Sequence, residues 1–266
     1  MPMNEKILDL TVVMPALNEE KNILAAVNAT IEAFNDLKID GEIIVVNDGS
    51  SDRTEELMRG AMQKDGRIRL IKHDTPKGIG ASFWDGVEKA GGEAVVLIPG
   101  DNEVDSAEAL RYFPLMRHVD IIIPFVYNRE VRNAFRNILS LAFRLIINMT
   151  FTVNLNYTNG TVIYRKSILS KLSHCSNGFF YQAENLIKLI KRGYLFAEVP
   201  YYLKRRESGV STAVSYPSFY NVVKGYLQLI RAIYFSDDYT SDKSRLTKES
   251  MSSERYKKYE EKLRRK

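Results

Sequence analysis

Asp101 and Glu103 stand two residues apart in Pro99-Gly100-Asp101-Asn102-Glu103-Val104-Asp105, directly behind the apolar run Ala94-Val95-Val96-Leu97-Ile98. Carboxylate oxygens at that spacing suit a hard divalent cation shared with the phosphates of a substrate. The apolar run is short, β-prone and free of charge, so it reads as a buried central strand. The two acids therefore fall where a strand gives way to a loop. In open α/β sheets that carboxyl end is where ligands bind. The bland alternative is a solvated loop with a turn-type Asp-Asn.

Three earlier stretches could serve the same ligand. In Pro15-Ala16-Leu17-Asn18-Glu19-Glu20 a strand ends and a helix begins, so backbone N–H groups and the helix dipole face a ligand. Asn18 or Glu19 could there hydrogen-bond ribose hydroxyls, or the segment is a simple capping turn. In Asn47-Asp48-Gly49-Ser50-Ser51-Asp52 the Asp48 carboxylate could accept from the N–H edge of a pyrimidine or guanine base; an Asx-turn is the alternative. Lys77-Gly78 sets a flexible cation beside a loop able to approach a ligand closely. At successive strand ends of one sheet these stretches describe a nucleotide pocket, with Asp101 and Glu103 as its metal site.

Further along, Arg205 or Arg206, beside flexible Gly209, offers a guanidinium fork matched to a diphosphate, with Arg206 favoured by the Gly-x-Ser that follows. Arg129, Arg132 and Arg136, spaced by three and four, fall on one helical face. They read either as a holder for an anionic acceptor or as a solvated face. A hydroxyl acceptor would need a positioned carboxylate base, for which Glu184 is the candidate; a phosphate acceptor is already anionic and needs none. Glu184 could equally be a first-turn charge favoured by the helix dipole.

The elements that must position these residues alternate strand and helix. Strands are expected at Leu8–Met14, Glu42–Val46, Arg67–Lys72 and 94–98. Helices are expected at Glu20–Leu37, through Met62 with Ser51 or Asp52 as N-cap, and, after the lead-in Lys77-Gly78-Ile79-Gly80, through Ala90. Short connections between them point to a parallel sheet covered on both faces. Beyond residue 105 the pattern loosens: strands at Asp120–Phe125, Thr161–Tyr164 and Phe196–Tyr202, a long apolar stretch Arg129–Val153, a helix Gln182–Arg192 and a helical stretch Pro217–Phe235. In the last, Asn221, Lys224, Gln228 and Arg231 make a narrow polar stripe among large apolar residues. Such a helix is either buried, in the protein or a homo-oligomer contact, or lies in a bilayer interface.

The bulk properties bound the answer. The 266 residues suffice for one large α/β domain with an appendage. A single cysteine, Cys175, leaves no disulfide framework and points to a reducing, cytoplasmic setting. The first ten residues lack a signal-peptide core, and no run of apolar residues is long enough to span a bilayer. Of the net charge of +5, residues 237–266 carry +3, from ten Lys/Arg and seven Asp/Glu. That tail reads as solvated or partly disordered, with attraction to an anionic membrane as the sharper reading. It holds no nucleic-acid motif and little aromatic interleaving, so no nucleic-acid partner is expected.

Taken in order, PALNEE, VVNDGSSDRT, KGIGAS and PGDNE resemble the family 2 glycosyltransferases of GT-A fold. The resemblance implies a Rossmann-like, mixed but mostly parallel sheet flanked by helices. It also implies a UDP- or GDP-sugar donor, Mg²⁺ or Mn²⁺ on its diphosphate, and inversion at the anomeric carbon. Asp48 then corresponds to the base-recognising Asp, and Asp101 and Glu103 to the two ends of Asp-x-Asp, with Glu a departure in the second place. Pro15, Asn18, Glu19, Lys77, Gly78 and Asn102 fall around the donor. The second half is similar to the dolichol- or polyprenyl-phosphate sugar synthases through Arg129 to Arg144, Asn156 to Gly160, Glu184 to Lys188 to Gly193-Tyr194, Glu198-Val199-Pro200 and Arg206 to Ser211. Asn156 replaces that group's Asp and Thr161 its Phe.

This likeness implies a transferase domain over 1–212, with a nucleotide half at about 8–105 and an acceptor half at about 106–212. An amphipathic helix and basic tail follow over 213–266. Donor binding extends to Ser211, and acceptor binding falls to Arg129, Arg132, Arg136 and Asn156. Transfer to a polyprenyl phosphate at the cytoplasmic membrane face is the leading expectation. The alternative is a soluble inverting transferase acting on a sugar hydroxyl, with Glu184 as base.

Overall fold

The computed structural model describes residues 8–128, 134–170, 172–173, 176–203, 216–235 and 246–264. They form two compact units, residues 1–111 and 112–266.

In the first unit β1 (Leu8–Ala16), β2 (Gly41–Asp48), β3 (Ile68–His73) and β4 (Gly92–Leu97) pair in the order β3-β2-β1-β4. Every pairing is parallel, with Val13 opposite Ile44 on one side and Leu97 on the other. Leu10, Val12, Val13 and Met14 are wholly buried, as successive residues of a strand must be when both faces are covered. Helices α1 (Ile23–Leu37), α2 (Thr54–Met62) and α3 (Ile79–Lys89) connect the strands, and α4 (Ser106–Leu110) follows β4. Gly86 lets α3 sit close on β1, since a Cβ there would come within 2.5 Å of Val13. Because all four strands run the same way, their carboxyl ends and the loops after them gather at one edge.

The second unit has β5 (Ile121–Val126) between β6 (Ile163–Arg165), antiparallel to it, and β7 (Phe196–Tyr201), parallel. With the first unit this makes the sheet pairing mixed and mostly parallel, as expected of a GT-A fold. Around these strands lie α5 (Ala134–Phe151), α6 (Lys166–Leu169), α7 (Tyr181–Lys191), α8 (Tyr216–Tyr234) and α9 (Met251–Arg264). Ile147, Phe151, Phe180, Ala183, Ile187 and Leu229 form a core that joins α5, α7 and α8.

One expectation is corrected here. Residues 246–264 were expected to belong to a solvated or partly disordered tail, but they fold onto the second unit. Asp120, wholly buried, takes Met251 N at 2.7 Å and Ser252 N at 3.0 Å, accepts the Ser252 hydroxyl, and pairs with Arg165 Nε at 3.1 Å. A carboxylate at a helix N-terminus satisfies amides that have no partner inside the helix. Leu195 N donates to Ser252 Oγ at 2.8 Å, and Thr247 N to the Tyr194 hydroxyl oxygen at 3.1 Å. The sequence hid this because the anchoring acid lies more than a hundred residues upstream.

Candidate functional site

The loop after β1 is laced to the loop after β2. Asn18, in the left-handed region at φ 57°, donates its N–H to Ser50 Oγ at 2.9 Å and accepts Ser51 N at Oδ1, also at 2.9 Å. Glu19 N donates to Thr54 Oγ1 at 2.9 Å, and Glu20 N to Asp52 Oδ2 at 3.0 Å. Asp52 also accepts Thr54 N at 3.0 Å, while Arg53 occupies the N-cap position of α2. The carboxamide of Asn18, expected to meet a ribose, thus clasps the two loops together. Pro15 O accepts Gly100 N at 3.0 Å and so ties the loop after β4 to the end of β1.

Asp48 organises a second pair of loops. Its Oδ1 accepts Lys77 N at 2.8 Å and its Oδ2 accepts Gly78 N at 2.9 Å. His73 Nδ1 lies 2.6 Å from Oδ1, and His73 Nε2 lies 2.8 Å from Asp85 Oδ2. Burial works to raise the Asp48 pKa, but the hydrogen bonds from His73, Lys77 and Gly78 outweigh it and hold the carboxyl below its ordinary range. Gly78 has φ 98° at the N-cap of α3, a conformation that excludes a side chain. Gly49, at φ 77°, would carry a Cβ 2.8 Å from the Thr75–Pro76 backbone, so the two loops touch main chain to main chain. The Lys77 ammonium is exposed, 3.5 Å from Asp85. His73 and Asp85 were not singled out from sequence. A lone His one residue before a loop carries no spacing signal, although its position two residues ahead of Thr75-Pro76-Lys77-Gly78 marks it as a strand end.

Asp101 and Glu103 follow β4. Asp101 Oδ1 accepts Glu103 N at 3.0 Å, and Asn102 between them sits at φ 58°. This tight turn brings both acids to one loop tip, with Glu103 exposed and Asp101 half-buried. Asp105 then caps α4 by accepting Glu108 N. Glu19 reports on the local field. Burial, and then the carboxylates of Asp101, Glu103 and Asp52, push its carboxyl above the ordinary range, against the Asn22 hydrogen bond that lowers it. Among the described residues no three His, Cys, Asp or Glu side chains converge as a cation-holding set. Two carboxylates at one loop tip fit an ion that takes the rest of its coordination from diphosphate oxygens and water, the habit of Mg²⁺ and its analogues.

In the second unit the expected residues divide. Arg129, Arg132, Arg206 and Ser211 lie outside the described residues, and Arg136 falls in α5 with its side chain likewise outside them. Asn156 donates its N–H to Glu198 Oε1 at 2.6 Å and its Nδ2 to Glu198 Oε2 at 2.9 Å. Arg144 NH1 lies 3.5 Å from Asn156 Oδ1, and the two line a pocket with Asn137, Ser140, Leu141 and Tyr157. The helical spacing of 137, 140, 141 and 144 was the available signal for this face. Glu184 is placed otherwise than a base requires. It is 2% exposed, its Oε1 2.5 Å from Lys188 Nζ and its Oε2 accepting Ser176 N at 3.0 Å. Lys188, as deeply buried, also donates to Ser173 O at 2.6 Å. The pair ties Ser173 and Ser176 to α7.

Four parallel strands with a laced loop edge and an acidic tip define an open α/β protein with its candidate site at the carboxyl edge of the sheet. Residues 11–173 match the model of Glycosyl transferase family 2, and the chain belongs to that family. The undecaprenyl-phosphate 4-deoxy-4-formamido-L-arabinose transferase of Pectobacterium carotovorum is 25% identical over 65% of this chain and 54% of its own length. An uncharacterised glycosyltransferase of Synechocystis is 33% identical over 35% of this chain and 30% of its own. The chain thus spans about half the length of the first relative and less of the second. Among solved structures, glucosyl-3-phosphoglycerate synthase of Mycobacterium tuberculosis with UDP superposes with a TM-score of 0.63. It is 19% identical, covering 84% of this chain and 80% of its own. The same enzyme with Mn²⁺, UDP-glucose and phosphoglyceric acid gives 0.60 at 18% identity, over 84% and 80%. These likenesses show the GT-A fold. Among the described residues no helix is long and apolar enough to cross a membrane.

Proposed function

We propose that the protein transfers a sugar, with inversion, from a UDP- or GDP-sugar to a polyprenyl phosphate, working at the cytoplasmic face of a membrane. The observation that carries the donor half is the acidic tip of Asp101 and Glu103, set beside the half-buried Glu19 at the carboxyl edge of a parallel sheet. A divalent cation held by Asp101 and Glu103 would offset the charge that grows on the departing nucleoside diphosphate. The chain's own part is positional. Asp48 holds the Lys77–Gly78 turn against the end of β2, and the Lys77 ammonium stands exposed beside it. In this reading Asp48 orders the loop that meets the nucleoside, whether or not its remaining lone pairs reach the base.

The acceptor half is supported by charge. From Arg132 to Ala183 the chain holds no Asp or Glu, and within that stretch Arg144 and Asn156 line the second unit's pocket. The Pectobacterium relative, by its name, uses undecaprenyl phosphate. Arg129, Arg132, Arg136 and Arg206 add cations in sequence. A phosphate nucleophile needs such cations and no base, which agrees with Glu184 being locked in an ion pair. The test is transfer from labelled UDP- and GDP-sugars to a short polyprenyl phosphate, with Mg²⁺ or Mn²⁺ and with EDTA. Metal-dependent label in the lipid product is expected. Label only in a sugar-hydroxyl acceptor would overturn the reading.

A further inference from the structure

Asp48 and His73 stand opposite one another as the last residues of the parallel strands β2 and β3. His73 is only 3% exposed, and both of its ring nitrogens are engaged. Nδ1 lies 2.6 Å from Asp48 Oδ1, and Nε2 lies 2.8 Å from Oδ2 of Asp85 on α3. The ring thus bridges the end of β2 to the helix that follows the Lys77–Gly78 turn. Asp85 Oδ2 also has the Lys77 ammonium 3.5 Å away. A buried ring held at both ends can do more than fill space, because the group it holds is the carboxylate around which that turn is built.

An ionised carboxylate only accepts, at about four positions, two on each oxygen. Asp48 Oδ1 spends both of its positions, one on His73 Nδ1 and one on Lys77 N. Oδ2 spends one on Gly78 N. What Asp48 keeps for a ligand is therefore on Oδ2 alone, and 8% of its side chain remains exposed to receive one. We infer that His73 is a positioning residue of the donor site: pinned by Asp85, it fixes the rotation of the Asp48 carboxylate and leaves it a single acceptor for a nucleoside base. A base that offers one N–H between two carbonyls, as uracil does, satisfies that acceptor. Guanine offers two adjacent donors, and the second would meet an oxygen already filled, at the cost of an unpaired group. Without His73 a position on Oδ1 is released, and the two oxygens can take both guanine donors. His73 thereby sets base choice through Asp48, whereas a purely structural ring would leave base choice unmoved.

The inference rests on the reading of these loops as a nucleotide site and deepens it by naming the kind of base. UDP and GDP would be titrated separately into the full chain with Mg²⁺ present. Lys77 and the cation meet the same diphosphate in both, so the ratio of the two dissociation constants reads the base. The native protein should bind UDP about tenfold or more tighter than GDP, the scale of one good hydrogen bond. His73→Gln sets its amide near the old Nε2, keeps the reach to Asp85 and releases Asp48. UDP should then weaken about tenfold and the ratio fall toward one. His73→Asn sets its amide where Nδ1 stood, so it should keep the UDP preference and weaken UDP no more than about threefold. Asp85→Ala changes a half-exposed side chain that folding tolerates; by freeing the ring it should lower the ratio about threefold, and it decides alone if His73→Gln does not fold. A native preference for GDP, equal behaviour of the Asn and Gln variants, or a ratio unmoved by Asp85→Ala would each overturn the inference. Native protein that binds neither nucleotide would sink the nucleotide reading, and this inference with it.

Discussion

Two sets of carboxylates, one in each unit, sit in opposite surroundings. In the second, Asp120 and Glu184 are buried and matched to Arg165 and Lys188, and each also takes backbone N–H groups. In the first, Glu19, Asp52, Asp101 and Glu103 lie near one another at a loop edge, and burial, with the neighbouring carboxylates adding to it, raises the pKa of Glu19. A buried acid with a fitted cation is architecture, because removing either partner strands a charge. Acids gathered at a strand-end loop are poised for a cation that comes from outside. The same residue type thus forms a structural joint in one place and the candidate ligand edge in another, and the surroundings decide which.

The largest expected effect tests the ligand side of that contrast. Asp101→Asn and Glu103→Gln should each reduce transfer at saturating donor by about 10³-fold, the scale seen when one preorganised electrostatic contact to developing charge is lost. Thermal stability should stay within a degree or two, since neither residue is buried. Full activity of either variant, or of the native protein in excess EDTA, would remove the acidic tip from the chemistry.

The structural side comes next. Glu184→Gln should lower stability by about 3 kcal/mol, because it leaves the Lys188 ammonium buried without its counter-charge. Turnover per folded molecule should change little. A denaturation curve and a rate measured on the same sample separate the two outcomes. A rate loss of about 10²–10⁴ at unchanged stability would restore Glu184 as a general base. It would also move the acceptor from phosphate to hydroxyl.

How much of this was legible in the sequence follows from range. The parallel strands, their order of appearance and the four strand-end stretches could be read locally, because runs such as Ala94–Ile98 and turn residues such as Gly49 and Gly78 speak through their neighbours. What escaped was pairing at a distance. Glu184 reads as a candidate base or a first-turn charge until Lys188 and Ser176 are seen closing over it. The tail reads as solvated until Asp120 is found under Met251 and Ser252. Asn18 and Asp48 were marked for a ligand by the right reasoning about loop edges, yet much of their bonding goes to other loops. A single sequence shows that a polar residue stands at an edge, but not whether its first partner is a substrate or the next loop.

Asp48 sharpens the contrast from within the first unit. Asp48→Ala should raise the donor dissociation constant about 10- to 50-fold, since the Lys77 and Gly78 amides would each lose a partner at about 1–3 kcal/mol of desolvation. The rate at saturating donor should fall less. Titration calorimetry with the nucleoside diphosphate reads this directly. Because the folded Asp48 has a lowered pKa, the unfolded chain binds more protons as acid is added. Its stabilising contribution is therefore complete at neutral pH and is lost as pH falls through the folded value. The acid limb of the native stability profile should be steeper than that of Asp48→Asn.

The smallest effect is opposite in sign and isolates the field at the acidic tip. Glu19 has a raised pKa, so its charged form weakens the fold: stability is greatest below the ordinary carboxylate range and declines as pH rises through the raised value. Glu19→Gln removes that charge and keeps the shape. The metal-free protein should then melt about 1 °C higher at neutral pH, less than the roughly 2–4 °C that one kcal/mol represents in a chain of this size. The gain should vanish near pH 4, where the native carboxyl is protonated. Added Mn²⁺ should reverse the ranking, because a cation beside Asp101 and Glu103 draws on the full negative field that the variant has weakened. Melting curves with and without Mn²⁺, at neutral pH and near pH 4, contain the whole argument. If Glu19→Gln lowers stability without metal at neutral pH, Glu19 is a joint of the kind found in the second unit, and the division between the units does not hold at this residue.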